Sequence, residues 1–409
     1  MAEMNPIDIY VNKSVPFKFR GQEMGFELSH ALFSSFDIDA GSRLLLKLVA
    51  KNVEDGLVGS ILDVGSGVGV LGVACARGYP GASLRLRDRD ALACAFSERN
   101  ARRNKVRGAT VDRALFLDGL GSERFDLALC NVPAKAGPPV LDRFLRDLPG
   151  VLTDSGRGAV VVVQTIAEAA AESIRGSGAE IVATERGPGH TALLFARGGA
   201  AAYADDGSSY AVERSERRGL RAGKSVYAIK GYWGLPEFDT SSFATELAVE
   251  LFEHASAGLL IRRAAVVNPG VGALASYVGV RAKGATIDLC GRDSLALVAS
   301  ARNLALATRS GSEPGAAFAF QADLPDSAYD LLVEFPDLTP RVDTTGDSWE
   351  TAARVLKRGG AFVASMPSTA MDRFERRRPK GFTRLAEKKK KGFTCAAWRF
   401  DGLEVSAEA

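Results

Sequence analysis

Histidine and cysteine are scarce, with three and five copies in 409 residues. His30, His190 and His254 lie far apart, and Cys75, Cys94, Cys130, Cys290 and Cys395 form no C-x-x-C pair. Such spacing offers neither a zinc cluster nor a disulfide framework, so no metal site is expected and the thiols read as reduced and partly buried. Long apolar runs are missing too. None approaches the ~18 residues that would span a bilayer, so no membrane partner is expected. The opening Met-Ala-Glu-Met-Asn-Pro lacks the basic and apolar regions of a leader, and a cytoplasmic protein is expected. An excess of either sign of charge is nearly absent overall, the net being +3. Hydrophobic residues at 46% and charged residues at 25% exclude a disordered or collagen-like chain. At roughly 100–200 residues per domain, the length implies more than one domain.

The chain repeats itself. Residues 82–100 (ASLRLRDRDALACAFSERN) lie over 285–303 (ATIDLCGRDSLALVASARN) without a gap at an offset of 203. FDLALCNVP at 125–133 lies over YDLLVEFPD at 329–337, and FDIDAGSRLLL at 36–46 over FDTSSFATELA at 238–248. Two copies of one unit follow, expected as 1–199 and 200–409. The join falls in the Gly-, Ser- and charge-rich stretch 198–224, which also offers the start of a second N-terminal hairpin like the alternating IDIYVNKSVPFKFRGQ of the first copy.

In copy one, SILDV, SLRLRD, FDLALCN and GAVVVVQT read as strands. VLGVACARG, ALACAFSERNARRN and PPVLDRFLRDLPGVL read as helices between them, an α/β alternation around a mostly parallel sheet. Ligands of such sheets sit beyond the carboxyl ends of the strands, where the strand order switches. The first of these strands ends in ILDVGSGVGVLG, with Asp63, Gly65, Ser66, Gly67 and Gly69; Asp88 closes the next. Gly67, Gly69 and Gly72 also satisfy a dinucleotide fingerprint, with Asp88 about 20 residues on. Asp63 tips the balance. An acid there suits the ammonium end of S-adenosylmethionine and would repel a pyrophosphate. The fourth strand ends in Asn131, Val132 and Pro133, a segment for which a dehydrogenase has no use.

These stretches, with FKFRGQEMGFELSHALFSSFDIDAGSRLLL at 17–46, resemble the small-domain class I methyltransferases, above all the ribosomal RNA guanine-N2 methyltransferases built from two tandem Rossmann-like domains. The resemblance implies S-adenosylmethionine as cofactor, held by Asp63, Gly65, Ser66, Gly67, Gly69 and Asp88 with Gly41 and Ser42 beside it. It implies Asn131, Val132 and Pro133 as the segment that holds an exocyclic amine. The usual N-P-P-aromatic reads N-V-P-A, so Ala134 supplies no ring for a base. Phe33 and Phe36 stand on the loop before the first core helix, where an aromatic is more often core than a stacking ring. Neither Asp112 nor Asp118 falls in phase for an adenine contact after the third strand.

Copy two departs at the site. By this alignment Asp63 becomes Asn268, Asp88 becomes Gly291, Asn131 becomes Phe335, and Gly41 and Ser42 become Phe243 and Ala244. A folded domain without catalysis is expected. It carries residues 372–391, where ten Lys or Arg face three acids. This block, Arg373 to Lys391, reads either as an RNA-facing patch or as a solvated surface. The leading expectation is a monomeric N-methyltransferase acting on guanine in ribosomal RNA. Adenine N6, a protein glutamine amide or a small amine are the alternative substrates, and a non-catalytic RNA-binding or assembly protein with a vestigial cofactor pocket is the alternative class.

Overall fold

The computed structural model describes residues 7–33, 36–222, 225–308 and 315–402. The opening Met-Ala-Glu-Met-Asn-Pro, and Gly223 and Lys224 at the end of the composition change, lie outside the described residues.

The chain divides into two compact units, Met1–Val212 and Glu213–Ala409. In the first, the hairpin β1 (Lys13–Phe19) and β2 (Gln22–Leu28) precedes α1 (Ala40–Asn52), β3 (Ser60–Val64), α2 (Val70–Gly78), β4 (Ser83–Asp88), α3 (Ala91–Arg103) and β5 (Thr110–Arg113). Then come β6 (Phe125–Asn131), α4 (Pro138–Asp147), β7 (Leu152–Val163), α5 (Ala167–Gly176), β8 (Glu180–Gly187) and β9 (His190–Ala196). The second unit runs β10 (Glu213–Ala222), β11 (Ser225–Tyr232), α6 (Phe243–Ala255), β12 (Arg263–Val267), α7 (Ala273–Arg281), β13 (Thr286–Cys290), α8 (Ser294–Thr308) and β14 (Ala317–Phe318). It closes with β15 (Tyr329–Glu334), α9 (Thr344–Val355), β16 (Leu356–Pro367), α10 (Ser368–Arg376), β17 (Phe382–Lys390) and β18 (Phe393–Phe400).

Each unit builds a seven-stranded sheet of the same order, β5-β4-β3-β6-β7-β9-β8 and β14-β13-β12-β15-β16-β18-β17. Five strands are parallel. The last two are antiparallel and close the edge. The central strands are near-continuous apolar runs because helices cover both faces: Ile61, Leu62, Leu127, Ala128, Leu129, Val160 and Val161 are fully buried. The strand order reverses between β3 and β6, which puts a crevice beyond their carboxyl ends.

Asparagine side chains cover the inner hairpin strand as another strand would. Asn100 of α3 accepts from Glu27 N at 2.9 Å and donates to Glu27 O and Val68 O at 3.0 and 2.8 Å. Asn303 of α8 repeats this on Lys230 and Val271 at 2.8, 2.9 and 2.7 Å. Both backbone groups of a strand edge are thereby satisfied inside the fold.

The join lies later than the composition change suggested, between residues 212 and 213. Residues 200–212 lack apolar periodicity, yet Tyr203 and Tyr210 are buried and anchor them to the first unit. Tyr210 donates to Asp147 at 2.6 Å, its N–H donates to Asp118, and Arg143 lies 4.3 Å over its ring. Asp118 thus fastens this strap.

Candidate functional site

The loop from β3 to α2 forms one wall of the crevice. Gly65 N and Ser66 N both donate to Arg87 O, at 2.8 and 3.0 Å, so the loop is stitched to the end of β4. Ser66 Oγ lies 2.9 Å from Ser97 Oγ, and Ser97 donates to Gly67 O at 3.1 Å. The Ser66 side chain therefore fixes the loop from behind. Gly72 admits no side chain: a Cβ there would lie 2.8 Å from Leu86 and 3.0 Å from the Asp63 Cβ.

Asp63 is wholly buried. Its Oδ2 accepts from Gly72 N at 2.7 Å, joining strand to helix, while its Oδ1 has no partner among the described residues. Burial pushes its pKa up to about 7; the Gly72 hydrogen bond opposes this and neighbouring Asp88 adds to it. Asp88 is partly exposed at the tip of β4, with Oδ2 accepting from Gly67 N and Oδ1 from Asp90 N, each at 2.9 Å. Burial raises it to about 6 against those two hydrogen bonds. The site thus holds two acceptor groups close to neutrality, one deep and one at the mouth.

Asn131 ends β6 on the other side of the crevice. Its Nδ2 donates to Asp39 Oδ2 at 3.1 Å and to Ser42 Oγ at 3.2 Å. Val132 is buried with its N–H on Val161 O at 2.9 Å, and Pro133 O accepts from Ala136 N at 2.8 Å, turning the chain away. Gly41 and Ser42, expected beside the cofactor, pack around Asp39. Ser42 N donates to Asp39 Oδ2 at 3.0 Å, and a Cβ on Gly41 would lie 2.9 Å from that oxygen and 3.1 Å from His190. Asp39 and His190 were missed in the sequence. The one local signal was Asp39 as an N-cap three residues before Ser42.

Phe33 and Phe36, expected in the core, are 72% and 64% exposed, with Phe36 edge-on to His30 at 5.1 Å. Arg43 is tied to Asp37 at 3.1 Å and to Ile38 O. Among the described residues no group of three or more His, Cys, Asp or Glu side chains could hold a metal ion, and no helix is long and apolar enough to cross a membrane.

The second unit corrects the alignment. Strand register pairs Asp63 with Leu86 and Val266 with Leu289, so Val266 stands in the place of Asp63 at the constant offset of 203. Asn268 occupies the place of Gly65, in the same left-handed conformation (φ +53° against +72°), and its N–H lies on Cys290 O as that of Gly65 lies on Arg87 O. The cap positions correct α6 likewise. Ser242 caps Thr245 N as Asp39 caps Ser42 N, so Gly41 and Ser42 correspond to Ala244 and Thr245. Gly291 and Phe335 stand at Asp88 and Asn131 as expected. Asn268 Nδ2 donates to Phe335 O at 2.9 Å, and the crevice is bridged by its own side chain. Glu334, in the place of Cys130, is buried on Ser348 and Gln321 and pushed to about 7 by burial.

Six cations of the basic segment have carboxylate partners. Lys388 and Lys390, two apart on β17, meet Glu250 and Glu246, one turn apart on α6, at 2.9 and 2.7 Å. Arg377 pairs with Asp343, Arg378 with Glu375, and Arg384 and Lys389 with Glu387. The other four, Arg373, Arg376, Lys380 and Lys391, have no ion-paired carboxylate among the described residues.

Comparison with known proteins agrees with this geometry. Residues 23–184 match the family model "Methyltransferase small domain". A relative named ribosomal RNA small subunit methyltransferase C, from Actinobacillus pleuropneumoniae serotype 5b, is 31% identical over 146 residues, 36% of this chain and 43% of its own length. An uncharacterized protein of Bacillus subtilis, YbxB, is 28% identical over 147 residues, 36% of this chain and 72% of its own. The matched part of this chain spans less than half the length of the first of these relatives. Among solved structures, a T. thermophilus 16S rRNA N2 methyltransferase (RsmC), in complex with AdoMet and guanosine, superposes with a TM-score of 0.67 at 17% identity, over 95% of this chain and 98% of its own. Residues 23–184 are therefore similar to the methyltransferase small-domain model, and the chain as a whole shares the fold of that structure.

Proposed function

We infer that this protein is an S-adenosylmethionine-dependent N-methyltransferase whose first unit acts on the exocyclic amine of guanine in small-subunit ribosomal RNA, in the cytoplasm. One observation carries the reading. The Asn131 amide faces Asp39 and Ser42 through its Nδ2, and a carboxylate can only accept, so Oδ1 is the atom left for a ligand N–H. The names of the rRNA-methylating relatives support the substrate.

The residues present fit the cofactor. The orphaned Asp63 Oδ1 is a buried acceptor at the depth where an ammonium would end, Gly65 and Gly67 leave the space beside the loop open, and Asp88 at the mouth suits a ribose diol. When bound, S-adenosylmethionine supplies a sulfonium methyl open to in-line displacement. Asn131 Oδ1 and the Val132 carbonyl accept the two N–H bonds of the target amine, draw its nitrogen toward tetrahedral geometry and aim its lone pair. Pro133 stiffens the turn that holds them. No strong base is needed, because the methylated amine is acidic and gives up its proton afterwards. Phe36, exposed and three residues before Asp39, serves as the stacking ring that Ala134 does not provide.

The test is methyl transfer from labelled S-adenosylmethionine to small-subunit RNA, naked and assembled, followed by nucleoside analysis. The expected product is N2-methylguanosine, with Asn131→Ala lowering kcat about 100-fold or more while cofactor affinity holds. Methyl on adenine or protein would move the substrate; no transfer with full cofactor binding would overturn the enzymatic reading.

A further inference from the structure

We propose that Asp39 is a positioning residue for the methyl-accepting amine, acting through Asn131. The inference rests on the reading that Asn131 Oδ1 receives the substrate.

An asparagine amide can turn over, exchanging its oxygen and nitrogen at little steric cost. At the end of β6 the turned form would put Nδ2 toward the substrate amine, donor against donor. Asp39 forbids it. Its Oδ2 accepts from Asn131 Nδ2 at 3.1 Å and from Ser42 N at 3.0 Å, and turning the amide would set two oxygens against each other. Ser42 Oγ, 3.2 Å from the same nitrogen, could serve either orientation, because a hydroxyl both donates and accepts. The Asp39 oxygen, held as an acceptor by Ser42 N, selects. Gly41 leaves the carboxylate the space it occupies, since a Cβ there would come within 2.9 Å of Asp39 Oδ2.

The second unit separates this role from helix capping. There Ser242 caps α6, its side chain accepting from Thr245 N, so capping needs no carboxylate. In that unit Phe335 stands where Asn131 does, and there is no amide to orient. The carboxylate is found where the amide is found.

Asp39→Ser keeps a good cap and removes the acceptor for Asn131, whereas Asp39→Asn keeps an oxygen that can still accept from both N–H groups. Methyl transfer to small-subunit RNA is measured on wild type and both variants, with S-adenosylhomocysteine titrations and melting curves alongside. The account expects Asp39→Ser to lower kcat about tenfold or more, with KM for RNA, S-adenosylhomocysteine affinity and Tm near wild type, and Asp39→Asn to restore most of the rate. A kcat for Asp39→Ser within about twofold of wild type, or a loss shared equally by ligand affinity and Tm, overturns the inference. If wild type binds S-adenosylhomocysteine but methylates no RNA, the proposed function fails and takes this inference with it; an active wild type with an indifferent Asp39→Ser sinks the inference alone.

Discussion

The two units share everything that packing requires and differ in what binding requires. Strand order is identical, the left-handed positions of the β3–α2 and β12–α7 loops coincide, and Asn100 and Asn303 make the same three hydrogen bonds. Against that, the Asp63, Asp88 and Asn131 side chains are replaced by those of Val266, Gly291 and Phe335. The Asn268 side chain bridges to Phe335 where the first unit keeps glycine and an open crevice. A fold held by its buried apolar layers tolerates such exchanges. A site built from three polar side chains does not.

Moving the first unit toward the second tests the comparison. The largest effect is expected for Asp88→Gly, which copies Gly291. Losing a charge-assisted acceptor for the ribose should weaken S-adenosylmethionine about 10- to 100-fold by calorimetry. The same group sets a pH dependence. The diol needs the ionised carboxylate, and Asp88 sits near 6 and Asp63 near 7, so both gain protons as pH falls. Affinity should be full above about pH 8 and fall through pH 7 and 6 toward 5 in wild type, with the lower part, due to Asp88, missing in Asp88→Gly.

Gly65→Asn plants the bridge of the second unit in the first. Asparagine adopts the required left-handed conformation in Asn268, so folding should survive while affinity for S-adenosylmethionine falls about tenfold. The reverse change, Asn268→Gly, should create no second site, because Gly291 still offers no acid. A new site there would contradict the account.

Asn100→Ala and Asn303→Ala probe what the units share. Each strips a hairpin strand of its buried partners, and each should cost about 1–3 kcal/mol in chemical denaturation. A cost confined to one unit would break the structural equivalence. The smallest effect is expected from Arg376→Glu, Lys380→Glu and Lys391→Glu, three of the four basic-segment cations without an ion-paired carboxylate. If the segment touches RNA, the salt slope of RNA affinity should flatten by up to about 0.7 per lost contact; an unchanged slope would assign the segment to its own ion pairs on α6.

Much of this was legible in the sequence where the signal is local. Residues 70–78 announce a helix by largely apolar content behind a glycine loop, 60–64 and 125–131 announce strands by short apolar runs, and 83–88 by alternation. Asp88 and Asn131 were legible as polar residues closing such runs. What depended on distant pairing was not. Asp39 meets Asn131 across 92 residues, and no periodicity records it. The alignment of Asp63 with Asn268 followed polar likeness, whereas parallel strand register enforces the constant offset and puts Asn268 at Gly65. Phe238 under Phe36 drew α6 one residue out of place, which only the cap hydrogen bonds could reveal. The strap at 200–212 hid because two tyrosines, rather than a periodic face, bury it.

The central claim is that one unit binds and the other only folds. Calorimetric titration of S-adenosylmethionine into the full chain tests it most directly. The account predicts one site per chain, weakened by Asp88→Gly and indifferent to changes at Asn268; two sites per chain, or one that survives Asp88→Gly intact, would contradict it.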